Sequence, residues 1–514
     1  MDPRERALGL HRDGQLVEAD RAYRAALDAH PDDARLRHFH GGLLMQSGRL
    51  EEAALQFQKV AAQAPDAVEN LAALALCLRD LGRLAEALPV AHRVLALRPD
   101  DALALLVAGS THAALGEGTQ AERLLRECVG LAPANTEAWH HLGVVLQEQG
   151  RWDEAASAHE RVAARRAGAW YNVGLCRERQ GDLLLARECY GRFNQAHPDR
   201  IAGWTRRAQV QALLCDFPGE AESVARIRAR LARPEALAVD DQAEPFVLSF
   251  LPLPDADRRR LLEHAVHQVQ AKAGRLADGM QPAKTGARQA GTHLRLGYVS
   301  PDFGEHAVGS LMRDVFAAHD RGRVHVTAYS LRRHAGATAD AIRSGCDVFR
   351  DCEAMATPAI AESIAADGID VLVDLGSYTS GARPELLALR PAPVQLAYLG
   401  FLHPHGAPWL DAVVLDPWLL PAGAEAMFGE PVRRLSTLML PGRSAEPAPI
   451  DRARFGLPAE RVLLAAFNNS YKFDRALLEA WLEIAGRAPQ AVFVLSVPPQ
   501  AEPLLRRHWA GQGG

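Results

Sequence analysis

Apolar positions along this chain follow two different rhythms. In the first two hundred residues they recur at helical spacing under regular punctuation. Pro31, Pro65, Pro99 and Pro133 stand 34 residues apart, and Ala19, Ala53, Ala87 and Ala121 each lie 12 residues before one of them. Gly14, Gly48, Gly82 and Gly116 keep the same interval, and Gly150 and Ala155 extend the series. A further unit (Trp170, Gly174, Gly181, Ala186, Tyr190, Pro198) is displaced by three residues, the shift falling at 164–168 where the proline is missing. This spacing predicts two helices per unit. The glycine ends the first helix and permits a left-handed turn. The alanine sits where two helices cross closely, and the proline ends the second helix because it cannot continue one.

From residue 294 the rhythm changes. The run LRLGYVS (294–300) is β-prone, and Ser300, Pro301, Asp302 and Gly304 turn the chain. Val308, Leu311, Met312, Val315 and Phe316 then recur at helical spacing. Further strands are expected at 324–330, 348–350, 369–374, 394–398 and 412–415, with helices at 337–345 and 358–367. After a Pro-rich stretch (441–449) come a strand from 461, a helix at 474–488 and a strand at 491–497. Strands alternating with helices predict a parallel, doubly wound sheet, followed by the start of a second one. Ligands bind such sheets at the carboxyl ends of the strands, where Asp302 and His306 fall.

Between the two rhythms the period fades. Trp204 keeps the repeat phase, but Cys215 replaces the turn glycine. Helices are expected at 220–231 and 257–273, the second with Arg258, Arg259, Arg260 and His267 on a solvated face opposite Leu261, Leu262, Val266 and Val269. Residues 274–292 read as a Gly- and Ala-rich flexible linker. The organisation is therefore repeats over 1–200, a helical connector over 201–290, an α/β lobe over 291–450, and the start of a second lobe over 451–514.

Composition narrows the class without naming it. With 48% hydrophobic and 24% charged residues and a net charge of -5, nothing marks a nucleic-acid or membrane-surface binder. No apolar run approaches a membrane span, and the polar start MDPRERALGL is no secretory signal. Seven scattered cysteines without a CxxC predict neither a disulfide framework nor a zinc site. A reducing, cytoplasmic setting follows as the expectation. His403 and His405 stand two apart, but no carboxylate or cysteine pattern completes a metal site around them.

Two resemblances add function. The repeat signature (Trp139, Leu142, Gly143, Ala155, then Trp170, Gly174, Ala186, Tyr190, Pro198) resembles the tetratricopeptide repeat, about six units whose groove would bind protein or peptide. The runs LRLGYVSPDFGEH (294–306), DLGSYTSGARPELLALRPAPVQ (374–395) and FNNSYKFD (467–474), with LCDF at 214–217, resemble the O-linked N-acetylglucosamine transferase family, including its SPINDLY-like members. The resemblance implies an α-solenoid followed by two Rossmann-like lobes of a nucleotide-sugar glycosyltransferase. It implies sugar transfer from a nucleotide diphosphate to Ser or Thr of proteins, without a metal or other cofactor. Asp302 and His306 match the family's active-site pair, either of which would be the base. Lys472 matches the lysine at the donor β-phosphate, Tyr471 its neighbour, and Leu399 and Gly400 a donor-contacting turn. Asn469 replaces a family glutamine. Spacing alone favours Asp302 as a helix cap, His306 as a satisfied turn residue and Lys472 as an exposed lysine, while Gly376, Tyr378, Gly381 and Arg383 would either line a ligand or form an ordinary strand-to-helix turn.

The chain also departs from the family pattern. Ala307, Val308 and Ser310 replace a Pro-Thr and a second His, and Phe401, Leu402, His403 and Pro404 replace Tyr-Pro-Gly-Thr. A family histidine near the connector is replaced around Phe246 and Val247. The second lobe breaks off soon after one βαβ, as in a C-terminally truncated product, and is expected to be poorly stable or to need a partner. Two readings stand: a protein O-glycosyltransferase using UDP-N-acetylglucosamine (or fucose from a guanosine donor, as for SPINDLY-like relatives), and a repeat-based interaction scaffold with a degenerate catalytic remnant.

Overall fold

The computed structural model describes residues 2–277, 293–437 and 451–510. The Pro-rich stretch at 441–449 and most of the expected linker lie outside them. The chain divides into two compact units, Met1–Ala196 and His197–Gly514.

The first unit is a succession of antiparallel helix pairs. Its turn glycines (Gly14, Gly48, Gly82, Gly116, Gly150, Gly181) all take positive φ, from 72° to 79°, and the second helix of each pair starts two residues later. Ala19, Ala53, Ala87, Ala121, Ala155 and Ala186 are fully buried at the crossings. The closest approach falls on the facing helix. A Cβ on Gly143 would lie 2.6 Å from the His159 ring, and one on Gly174 would lie 2.6 Å from the Tyr190 ring. The prolines fall after the second helices, which end at Ala29, Gln63, Leu97 and Leu131.

The second unit begins with one more such pair, Ile201–Leu213 and Phe217–Leu231. The period has therefore not faded at residue 201. Cys215 adopts φ 54° in place of glycine, and the LCDF run is the turn of this seventh pair. The long helix Asp255–Leu276 follows, so the expected linker is helical in its first residues. On its basic side Arg259, Arg260 and His267 are exposed, as expected, and Arg258 is half-buried. Arg258 donates to the carbonyls of Leu248, Leu251 and Leu253, and Arg260 donates to that of Leu231. Its apolar side joins two cores: Leu261 packs with Trp204, Ile227 and Leu251, while Val266 packs with Leu372, Leu386 and Trp409 under the sheet.

That sheet has seven parallel strands: β1 (Leu294–Ser300), β2 (Val324–Ser330), β3 (Val348–Asp351), β4 (Val371–Asp374), β5 (Val394–Tyr398), β6 (Ala412–Leu415) and β7 (Val432–Arg434). Their order is β3-β2-β1-β4-β5-β6-β7. The last strand has no strong apolar signal in sequence; it pairs along β6 from Val413↔Val432 to Leu415↔Arg434. Two remaining strands, β8 (Val462–Ala466) and β9 (Ala491–Leu495), form a separate parallel pair bridged by the helix Arg475–Arg487. A helix not anticipated from the sequence, Glu502–Ala510, follows. This small layer packs on the seventh helix pair through Cys215, Phe473, Leu478 and Leu505, and the Ser470 hydroxyl donates to the Leu213 carbonyl at 2.6 Å.

Candidate functional site

The strand order reverses direction at β1 and β4, which pair in register from Leu296↔Val371 to Val299↔Asp374. Chain leaving these two strands diverges to opposite sides, and a crevice opens beyond their carboxyl ends. Asp302 sits there, 7% exposed, with its backbone N–H donating to the Ser300 hydroxyl at 3.0 Å. Its Oδ2 lies 3.6 Å from His306 Nδ1, and the His306 side chain is half exposed. Burial holds the Asp302 carboxyl above its ordinary range, against the opposing pull of His306, Arg332 and His334.

Asp302 is not the helix cap. The expected long helix breaks into Ala307–Met312 and Val315–Ala318, and His306 caps the first, its Nδ1 accepting from the Val308 N–H at 3.3 Å. This contact defines the chemistry available to the imidazole. While Nδ1 accepts from Val308, the neutral ring carries its proton on Nε2. A small rotation toward Asp302, with Nδ1 protonated and donating, leaves Nε2 with a free lone pair facing outward. Val308 itself is a core residue, packed with Tyr298, Phe303 and Met312.

Three contacts around the pair escape a reading of the sequence because the chain beyond β2 brings their partners together. His334 donates from Nε2 to the Pro301 carbonyl at 2.7 Å, tying down the turn that carries Asp302. Glu305 accepts from the Thr338 N–H at 3.2 Å. The exposed Arg332 guanidinium lies against Gly381, 3.4 Å from the Ser380 hydroxyl. The only signal available in sequence was position: Arg332 and His334 follow a strand that neighbours β1.

The ends of β4 and β5 complete the rim. Asp374 is buried and accepts from the N–H groups of Gly376 and Ser377. Ser377 (φ 52°) and Leu399 (φ 71°) both hold left-handed backbone, a costly conformation for residues with a Cβ and one that gathers at functional sites. Gly400 follows because nothing larger fits: a Cβ there would lie 1.9 Å from the Leu375 carbonyl oxygen. In the 376–383 loop, Tyr378 donates to the His405 carbonyl and Arg383 to that of Met355, the behaviour of an ordinary turn. The altered turn buries His405, whose Nε2 lies 3.0 Å from the Ser377 hydroxyl; burial, then His403, pulls this imidazole down to about 3. Among the described residues no group of three His, Cys, Asp or Glu side chains is placed to hold a metal ion. Beside the turn, Leu262, Phe401, His403 and Phe428 line a cavity of ≈ 330 Å³.

Lys472, Tyr471 and Asn469 lie together on the small layer, after β8. Lys472 is exposed in a single 3₁₀ turn, Ser470–Lys472. Tyr471 packs on Phe250 at 4.4 Å between ring centroids and accepts from Asn469 Nδ2 at 3.3 Å. Among the described residues no hydrogen bond or ion pair joins this cluster to Asp302 or His306. The structure thus brings Asp302, His306, Leu399 and Gly400 to one sheet edge and groups the other three elsewhere.

Comparison with known proteins follows the same division. Residues 256–440 match the model of glycosyl transferase family 41. Tetratricopeptide-repeat models match 5–68, 72–136, 106–168 and 140–201. A probable UDP-N-acetylglucosamine–peptide N-acetylglucosaminyltransferase of Arabidopsis thaliana is 34% identical over 230 residues, covering 43% of this chain and 24% of the relative. A UDP-N-acetylglucosamine–peptide N-acetylglucosaminyltransferase of Caenorhabditis elegans is 38% identical over 144 residues, covering 28% of this chain and 12% of the relative. The chain therefore spans a quarter or less of these relatives. A Thermobaculum terrenum O-GlcNAc transferase shares the fold, with a TM-score of 0.53 at 24% identity over 80% of this chain and 73% of that one.

Proposed function

We propose that this chain, which matches tetratricopeptide-repeat models and, over residues 256–440, the model of glycosyl transferase family 41, moves a sugar, N-acetylglucosamine from UDP-N-acetylglucosamine, onto Ser or Thr of proteins held by its repeats. The observation carrying this reading is the pair at the β1 end: a buried Asp302 carboxylate 3.6 Å from a half-exposed His306, inside the family-matched segment.

In this reaction the acceptor hydroxyl oxygen forms a bond to the anomeric carbon. The bond from that carbon to the donor's β-phosphate oxygen breaks, and its electron pair leaves with the diphosphate. The base is the His306 tautomer in which Nδ1 has given up the Val308 N–H and, now protonated, donates to Asp302; the hydroxyl proton then passes to Nε2 and the Asp302 carboxylate stabilises the imidazolium formed. Lys472 supplies positive charge to the departing diphosphate, with Tyr471 and Asn469 beside it and Leu399 and Gly400 bordering the sugar. The reading invokes no metal, and Lys472 offsets part of the negative charge that develops on the departing diphosphate. No described helix is long and apolar enough to cross a membrane.

The test is transfer to a Ser/Thr acceptor protein by the purified chain and by His306→Ala, with UDP-N-acetylglucosamine and GDP-fucose compared as donors. A fall of about 10²–10⁴-fold in kcat for the variant is expected on losing a general base. Equal rates in both proteins, or none in either, would count for the scaffold reading. Turnover of the fucose donor alone would keep the mechanism and change the sugar.

A further inference from the structure

The repeats provide their own internal control, because each position recurs 34 residues along. One position in the first helix is occupied by Leu10, Leu44, Leu78 and Leu146, the last three at least 98% buried, and in the fourth repeat by His112, which is 92% buried. A second position, the N-cap of the following helix, is occupied by Arg49, Arg83 and Arg151. Each of these arginines is paired with a glutamate three residues on. In the repeat that holds His112, the residue at this cap is Glu117. The first repeat carries Gln15 at this cap; only in the fourth are both positions changed, and there they face each other: His112 Nδ1 donates to Glu117 Oε2 at 2.5 Å.

In the neutral ring that hydrogen bond keeps the proton on Nδ1 and leaves the lone pair on Nε2. Opposite it, on the preceding helix Leu84–Leu97, stands His92, with Nε2···Nε2 at 3.4 Å and ring centroids 5.4 Å apart. The separation is long for a hydrogen bond. It matches the edge of a metal tetrahedron, since two imidazole nitrogens each about 2.0–2.1 Å from a zinc ion stand about 3.3–3.4 Å apart. A carboxylate behind a ligating histidine is the usual way such a ring is oriented and made more basic. We infer that His92 and His112 form a two-histidine site for a borderline divalent cation of the zinc class, with Glu117 as its positioning carboxylate.

The site stands apart from the reaction proposed above. Arg123, the nearby cation, is occupied by Glu127 at 3.0 Å. Two protein ligands leave the remaining coordination positions to water, so affinity is modest and exchangeable. The ion would tie the helix Leu84–Leu97 to Ala102–Ala114, a crossing that the neighbouring repeats close with leucine.

The test is calorimetric titration of zinc chloride into the full chain, set beside His112→Leu, His92→Ala and Glu117→Gln. His112→Leu installs the residue the other repeats carry and His92 is exposed, so both variants keep the fold; circular dichroism checks this. The expected result is one zinc equivalent present in the parent and absent in both histidine variants, and binding weakened about 10–100-fold in Glu117→Gln. Hydrogen exchange over 84–97 and 102–114 should slow with zinc in the parent alone. Zinc binding that is unchanged in His112→Leu, or no binding by the parent, overturns the assignment and leaves a plain imidazole–imidazole contact.

Discussion

The seven-stranded sheet and the two-stranded sheet obey the same parallel βαβ rule, yet they are held very differently. In the first, β1 and β4 are buried toward their carboxyl ends, with one apolar core on each face. In the second, β8 and β9 remain half exposed along their whole length, and Phe467 and Val462 are largely exposed. What fixes the small layer is its seat on the seventh helix pair. Asp302 and His306 are thus set by a sheet that covers itself, whereas Lys472 and Tyr471 take their position from packing on connector residues such as Phe250 and Cys215.

Removing that seat should separate the behaviour of the two sheets most sharply. Phe473 is 3% exposed, between Cys215, Leu478 and Leu505, with its ring edge on Trp481 at 5.2 Å. Phe473→Ala should cost about 3–5 kcal/mol, felt by the small layer alone. Hydrogen exchange should accelerate over 462–466 and 491–495 and stay slow over 371–374. Equal loss in both sheets would mean that they unfold as one body.

A smaller effect is expected from Gly400→Ala, which targets the self-covered sheet. The new methyl must displace the Leu375 carbonyl, so the ends of β4 and β5 separate at a cost of about 1–3 kcal/mol. Transfer activity should fall with the melting temperature. Gly486→Ala makes the matching change in the small layer, where nothing lies within 4 Å of the added Cβ. It should leave activity intact and add about 0.5–1 kcal/mol of stability.

The smallest effect concerns charge at the seat. Burial, then Asp474 and Asp216, push the Glu220 carboxyl up to about 7. Because the folded value exceeds the ordinary one, the folded state keeps a proton that the unfolded chain releases, so stability falls as pH rises from about 4.5 to 7 and stays reduced above. Glu220→Gln removes this slope. It should firm the seat by about 1 kcal/mol after solvent screening at pH 8, with little effect at pH 4. Urea denaturation followed by Trp481 fluorescence would show it; a constant difference across that range would exclude Glu220 as the titrating group.

The chain by itself determined whatever is local or periodic. Phased prolines, alanines and glycines specify the repeat, since each answers a constraint met within a few residues: a left-handed turn, a close crossing, a stop. Strand-turn runs likewise placed Asp302 and His306 at a sheet edge, as parallel strands keep their loops at one end. Cys215 hid the seventh pair, because it takes the turn conformation without being glycine. The tertiary structure alone decided what is brought together from a distance. Arg332 and His334 reach Asp302 only because β2 lies beside β1, and His306, not Asp302, caps its helix because the turn directs its Nδ1 at Val308. Lys472 finds its place on residues more than two hundred positions earlier, and His92 meets His112 across a helix crossing. Burial and through-space contact set these arrangements, and neither is written into the spacing of residues along the chain.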